Sequence, residues 1–153
     1  MEELIVAIEY SQIEVFEAGT NLALDWTDQH VAQGFRAGEK QISFGVPDHD
    51  GECTLQIQTQ SVSEADFDGS ERLIRVPFSS GRTSIGIRTV TEELPVRVGG
   101  GDYDVYFGLW PITDAEGDEA FRIKIGFATR RGVEPSVMRS SREMETNPVV
   151  RMD

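Results

Sequence analysis

Residues 103–109, Tyr-Asp-Val-Tyr-Phe-Gly-Leu, put Tyr103, Val105, Phe107 and Leu109 on one face of an extended chain and Asp104, Tyr106 and Gly108 on the other. A period of two marks a strand with one face buried, because successive side chains point to opposite sides of a sheet. The pattern recurs in both directions from here. Downstream, Phe121, Ile123, Ile125 and Phe127 alternate with Arg122, Lys124 and Gly126. Upstream, stripes run through Leu4–Tyr10, Ile13–Val15, Ile42–Val46, Cys53–Ile57, Ile74–Phe78, Ile85–Ile87 and Leu94–Val98. Short alternating runs separated by Gly, Asp, Pro and Ser clusters predict about nine half-buried strands. The fold class is all-β: a two-sheet antiparallel β-sandwich, jelly-roll or Greek-key-like, rather than a closed barrel.

One segment departs from this period. Between Asp25 and Gly38, Trp26, Val31 and Phe35 recur at helical spacing while Gln29, Gln33 and Arg36 point elsewhere, so one short helix is expected near residues 26–37. Asp25 or Thr27 suits its N-cap, Asp28 suits the positive end of its dipole, and Gly38 suits its stop. Gly34 inside a helix costs about 1 kcal/mol relative to Ala, which implies a packing reason for it.

The periodic body spans residues 1–129 and is expected to be a single domain. Beyond it, residues 130–153 carry five Arg and four acidic residues, with Gly132, Pro135, Pro148 and scattered Ser but no periodicity. That composition reads as an extended or disordered C-terminal tail. Val137, Met138, Val149 and Val150 offer small apolar anchors should it wrap the body.

Charge and residue counts exclude several chemistries. The chain of 153 residues has 14 Lys+Arg against 27 Asp+Glu, a formal net charge of −13. Duplex readers need a basic patch to release phosphate counterions, so direct nucleic-acid binding is not expected. Two histidines and one cysteine cannot build four-ligand zinc sites of cysteine and histidine, disulfide frameworks or iron–sulfur ligation. His30 and His49 sit in no catalytic motif, and no Gly-x-Ser-x-Gly elbow is present. Cys53 falls on the inward stripe of its strand, as a buried structural thiol would. Gly99-Gly100-Gly101-Asp102 lacks the following helix and Lys of a phosphate loop, so a hairpin turn is the expectation there. The opening residues lack the basic and apolar regions of a signal peptide, and no run is long enough to cross a bilayer, so a cytoplasmic location without membrane insertion is expected.

Three acidic loops remain: Asp48–Glu52, Glu64–Glu71 and Asp114–Glu119. Their carboxylates (Asp48, Asp50, Asp66, Asp68, Asp114 and Asp118) read as solvated turns, as a partner-binding acidic surface or as oxygen ligands for calcium. A crowded acidic face opposes folding weakly through self-repulsion, yet it speeds encounter with a cationic partner.

The run Leu24-Asp25-Trp26-Thr27-Asp28-Gln29-His30-Val31-Ala32-Gln33-Gly34-Phe35, followed by Ile42-Ser43-Phe44, resembles the competence protein J family, also called the DNA-entry nuclease inhibitor family. The resemblance extends to Ile8-Glu9-Tyr10-Ser11-Gln12 through Val15-Phe16, to Val76-Pro77-Phe78, and to Gly101-Asp102-Tyr103-Asp104-Val105 ahead of Trp110. It covers most of residues 4–112, and the segment after Arg130 has no counterpart. It implies a non-enzymatic protein, without cofactor, that binds and inhibits a DNA-entry type nuclease whose cleft is cationic or metal-loaded. Within the shared blocks, Asp25, Trp26, Asp28, Asp102 and Asp104 are the candidate partner-binding residues. The alternative is a calcium-dependent, lectin-like or surface-binding β-sandwich module. A metal-independent hydrolase ranks behind both.

Overall fold

The computed structural model describes residues 2–8, 11–20, 25–47, 51–81, 84–132, 134–146 and 148–152. Among them are eleven strands: β1 (Glu2–Ile8), β2 (Gln12–Glu17), β3 (Phe35–Ala37), β4 (Gln41–Gly45), β5 (Gly51–Gln58), β6 (Arg72–Ser79), β7 (Ile85–Arg88), β8 (Glu93–Pro95), β9 (Asp102–Thr113), β10 (Glu119–Thr129) and β11 (Ser136–Arg139). One helix, α1 (Asp28–Gln33), and one 3-10 turn, Glu64–Phe67, complete the set. No helix among the described residues is long and apolar enough to cross a membrane.

The strands form two sheets, β1-β5-β10-β9-β6-β11 and β3-β4-β2-β7-β8. Their facing stripes meet as the sequence pattern requires. Val105, Phe107 and Leu109 from β9 and Phe121, Ile123 and Ile125 from β10 are at most 1% exposed against Ile13, Val15, Ile42 and Phe44 of the other sheet. Phe44 stacks on Phe107 across the interface, with ring centroids 4.6 Å apart and planes 3° from parallel. The two-sheet all-β sandwich is therefore the architecture.

One pairing corrects the all-antiparallel expectation: β5 and β10 run parallel, with Cys53 opposite Phe121 and Gln58 opposite Gly126. The chain direction follows from it. With β5 parallel to β10, and β10–β9 and β9–β6 antiparallel, β5 and β6 point the same way, and same-direction strands need a crossover of a dozen or more residues. Residues 59–71 supply that crossover and run over the outer face of the first sheet. Phe67, fully buried, anchors them. Its ring stacks with Tyr106 at 5.4 Å and with Trp110 at 6.3 Å. A Cβ at Gly108 would lie 2.5 Å from Phe67 Cδ1 and one at Gly126 would lie 3.1 Å from Cζ, so two glycines make the pit that seats the ring.

The helix is shorter than its sequence spacing indicates. Gly34, at φ 83°, takes the left-handed conformation that ends a helix, and the next residues, Phe35–Ala37, pair as β3 with β4. Gly38 is thus not the stop. The packing reason expected for Gly34 is present too: a Cβ there would lie 2.8 Å from Met144 Cε and 2.9 Å from Ile74 Cδ1. Gly99–Gly101 also differ from expectation. They connect β8 of one sheet to β9 of the other, so they make an inter-sheet crossing rather than a hairpin. Ser80 N–H donates to Gly101 O at 3.0 Å and the Ser80 hydroxyl accepts from Gly101 N–H at 3.2 Å, tying the crossing to the end of β6.

Past Arg130 the chain returns to the body. β11 pairs with β6 at the sheet edge, Met144 is 8% exposed, and Val137 and Val150 lie on the core. Val149, by contrast, is 80% exposed.

Candidate docking cleft

α1 begins where Thr27 takes an extended N-cap conformation. Thr27 N–H donates to His30 Nδ1 at 2.9 Å, so the imidazole does what a Glu does in a capping box, and Nδ1 must be unprotonated to accept that bond. His30 is buried at 4% exposure, where its ring holds the first turn of the helix. Asp25 does not cap; its carbonyl accepts from the Arg36 guanidinium and its side chain is left exposed. Asp28 lies in the first turn, also exposed. Between them Trp26 is half-buried, its ring edge-on to His30 at 6.2 Å. Its indole Nε1 is shielded from solvent and has no hydrogen-bond partner among the described residues.

Trp26 forms one wall of a cleft of about 670 Å³. Val31 and Gly34 of the helix end, Val46 and Pro47 after β4, Arg72 of β6, and Arg142 and Glu143 line it further. Arg72 is a buried cation, 0% exposed. Burial disfavours its charge, and the bond from Nη2 to Glu143 Oε1 at 3.0 Å counters that penalty. Nη1 donates to Gly45 O at 2.8 Å, pinning the end of β4 to the cleft floor. Arg142 is spoken for by two carboxylates, Glu71 at 2.9 Å and Glu119 at 2.7 Å. The lining therefore combines apolar Trp26, Val31, Val46 and Pro47 with two compensated arginines and the partly exposed Glu143, and exposed Asp25 and Asp28 stand beside Trp26 in the chain.

Asp102 and Asp104 lie elsewhere. Asp104 pairs with Pro77, whereas Leu109 pairs with Arg72, so at about 3.3 Å per residue Asp104 stands ~17 Å along β9 from the cleft end. Asp102 is exposed, but Asp104 is 3% exposed, its Oδ2 accepting from Arg131 N–H at 3.2 Å and its Oδ1 unpartnered among the described residues. This corrects its place among the partner-facing residues: the chain after β10 covers it.

In the acidic loops, Asp66 and Asp114 bond the backbone of their own turns. Asp66 Oδ2 accepts from Ser63 N–H at 2.8 Å and from Gln58 Nε2 at 3.2 Å. Those bonds, the Ser63 backbone foremost, hold its carboxyl below the usual range. Asp68 is exposed at the end of the 3-10 turn. In the β9–β10 hairpin, Asp114 Oδ1 accepts from the backbone N–H of Glu116 and of Asp118, both at 2.9 Å. The carboxylates of Asp114, Glu116 and Asp118 gather within 4.8 Å there. Asp48, His49 and Asp50 lie outside the described residues.

Residues 5–128 match the family described as competence protein J (ComJ). The chain belongs to the ComJ family. Among solved structures it is similar to ComJ from Bacillus subtilis, described as an inhibitor of the DNA degrading activity of NucA. The TM-score is 0.66 at 21% identity, over 84% of this chain and 96% of that chain. At that identity the likeness concerns the ComJ fold. No curated protein gives a significant match. The family span contains α1, Trp26, Arg72 and the end of β4, but not Arg142 or Glu143. Sequence patterning did not single out those two residues, Arg72, or the plug Phe67. For Arg72 a signal existed, a lone cation opening the apolar stripe Leu73-Ile74.

Proposed function

We propose that this ComJ-family chain is a non-catalytic protein that binds a nuclease and inhibits it, and that the cleft beside α1 is where a basic segment of the nuclease docks. The observation that carries the reading is the family match over residues 5–128, which spans most of the cleft. The cleft supports it physically. Trp26 offers a half-buried aromatic anchor of the kind that dominates interface energetics, and exposed Asp25 and Asp28 flank it in the chain. A net charge of −13 steers a cationic partner toward the molecule and excludes anionic competitors such as DNA. Asp102, exposed at the far end of β9, belongs to the same long-range field rather than to the cleft.

The test is a titration of the purified protein against a DNA-entry type nuclease, with DNA cleavage as readout. Near-stoichiometric suppression, weakening as salt rises, is expected. Cleavage that proceeds unchanged with every such nuclease defeats the reading.

The cluster of Asp114, Glu116 and Asp118 favours one second reading, a calcium-dependent surface module. Thermal unfolding with and without calcium separates the two, since a ligand bound only by the native state must raise its stability.

A further inference from the structure

The cleft has walls of two kinds. Trp26, Gly34, Val46 and Arg72 lie within the span shared with the family, residues 5–128, whereas Arg142 and Glu143 lie beyond it. The latter belong to a strap. It leaves the sheet edge at β11, passes Arg72 and Gly34 at residues 141–144, and meets α1 again through Glu145, Val149 and Arg151.

The strap grips the helix at several points. The Gln33 amide, 0% exposed, holds the backbone of Arg151 at both ends: Nε2 donates to Arg151 O at 2.8 Å and Oε1 accepts from Arg151 N–H at 2.8 Å. Glu145 N–H donates to Ala32 O at 2.9 Å, and Gln29 Nε2 donates to Val149 O at 2.7 Å. Glu143 and Ser141 together take Arg72's Nη2 and Nε at 3.0–3.3 Å. A helix of six residues has no stability of its own, so its orientation comes from whatever packs and bonds to it. Here much of that comes from the strap.

We propose that the C-terminal strap is the specificity-determining element of the docking cleft: it sets the orientation of α1, and with it Trp26 and Asp28, and brings the Glu143 carboxylate into the cleft lining beside Arg72. This rests on the cleft being the nuclease-docking site. Specificity is a difference of affinities, and a charged wall on a segment outside the family span is where chains with one common core can differ. Glu143 discriminates because it is partly exposed, with 40% of its side chain open to solvent, while still tied to buried Arg72.

Three proteins test this: the full chain, a chain ending at Thr146, and Glu143→Gln. Ending at Thr146 removes Val149 and Arg151, the strap partners of Gln29 and Gln33, but keeps β11, Met144 and Glu143. Glu143→Gln keeps an acceptor for Arg72 but removes its counter-charge, so thermal stability is measured alongside to separate destabilisation from lost discrimination. Each is measured for backbone amide exchange at Val31–Gly34, for inhibition of the chain's own nuclease, and for inhibition of a nuclease targeted by another member of the family. The shortened chain is expected to exchange at least tenfold faster at Val31–Gly34 and to inhibit its own nuclease about tenfold less well. Glu143→Gln is expected to leave exchange unchanged and to shrink the preference for its own nuclease about fivefold. Unchanged exchange in the shortened chain, or equal loss against both nucleases for Glu143→Gln, overturns the proposal. Should the shortened chain fail to fold, Gln29→Ala in the full chain supplies the exchange arm, with faster exchange expected and unchanged exchange counting against the strap. A full chain that inhibits no nuclease removes the docking reading and the specificity role with it. The exchange result then reports separately whether the strap holds α1.

Discussion

Met144 closes directly over Gly34, so that a Cβ at residue 34 would lie 2.8 Å from Met144 Cε and 2.9 Å from Sδ. Gly34 is also at φ 83°, where an L side chain is strained. Gly34→Ala therefore meets both a backbone and a packing penalty. Because the colliding atoms are the flexible ends of Met144 and Ile74, the packing part stays small, and a loss of about 1–3 kcal/mol is expected. Denaturant unfolding measures it; an unchanged midpoint would contradict the account.

Phe67 is the nail that holds the crossover of residues 59–71 against the outer face of the first sheet. Phe67→Ala is expected to cost about 3–5 kcal/mol, because the ring is fully buried and the pit lined by Gly108 and Gly126 cannot collapse around a methyl group. The same denaturation experiment reads it, and a loss under 1 kcal/mol would mean the pit refills.

Asp28 and Asp104 separate surface electrostatics from structure. Asp28→Lys is expected to weaken nuclease inhibition about tenfold at low salt while costing about 1 kcal/mol of stability at the helix N-terminus, the larger effect on inhibition marking an exposed charge that faces a cationic partner. Asp104→Asn, at a position 3% exposed, is expected to leave inhibition unchanged. Equal effects on inhibition from both substitutions would defeat the assignment of the cleft end as the docking face.

Cys53 is 2% exposed, and burial pushes its thiol up to about 12. An unfolded thiol ionises near 9.0, so between that pH and about 12 the unfolded chain holds fewer protons than the native one. The contribution of Cys53 to stability is thus intact below pH 9 and declines as pH rises toward 12. In the native protein the thiol is expected to resist alkylation at neutral pH and to react once denaturant is added. Rapid native-state labelling would show the strand to be open.

Much of the scaffold was legible from alternation alone. Nine strands announce themselves because a strand with one buried face must place apolar residues at every second position, as Tyr103–Leu109 and Phe121–Phe127 do. β3 escaped because Phe35 continues the helical spacing of Trp26 and Val31, and only the left-handed Gly34 separates helix from strand. β11 escaped because all four of its residues are half-buried at a sheet edge and carry no stripe. Among the candidate site residues, Asp25, Asp28 and Asp102 are exposed as a partner surface requires, while Asp104 is covered by chain that sequence parity cannot see.

Local sequence, then, determined nine of the strands, a helix starting at Asp25 or Thr27, the acidic field and the family, since each depends on neighbours in the chain or on composition. Tertiary structure decided the parallel β5–β10 pairing, the Phe67 plug, the pairing of buried Arg72 with Glu143 and the strap across α1. These join residues tens of positions apart, and which distant groups meet is set by how the two sheets bury their common core, a property no short window of sequence contains.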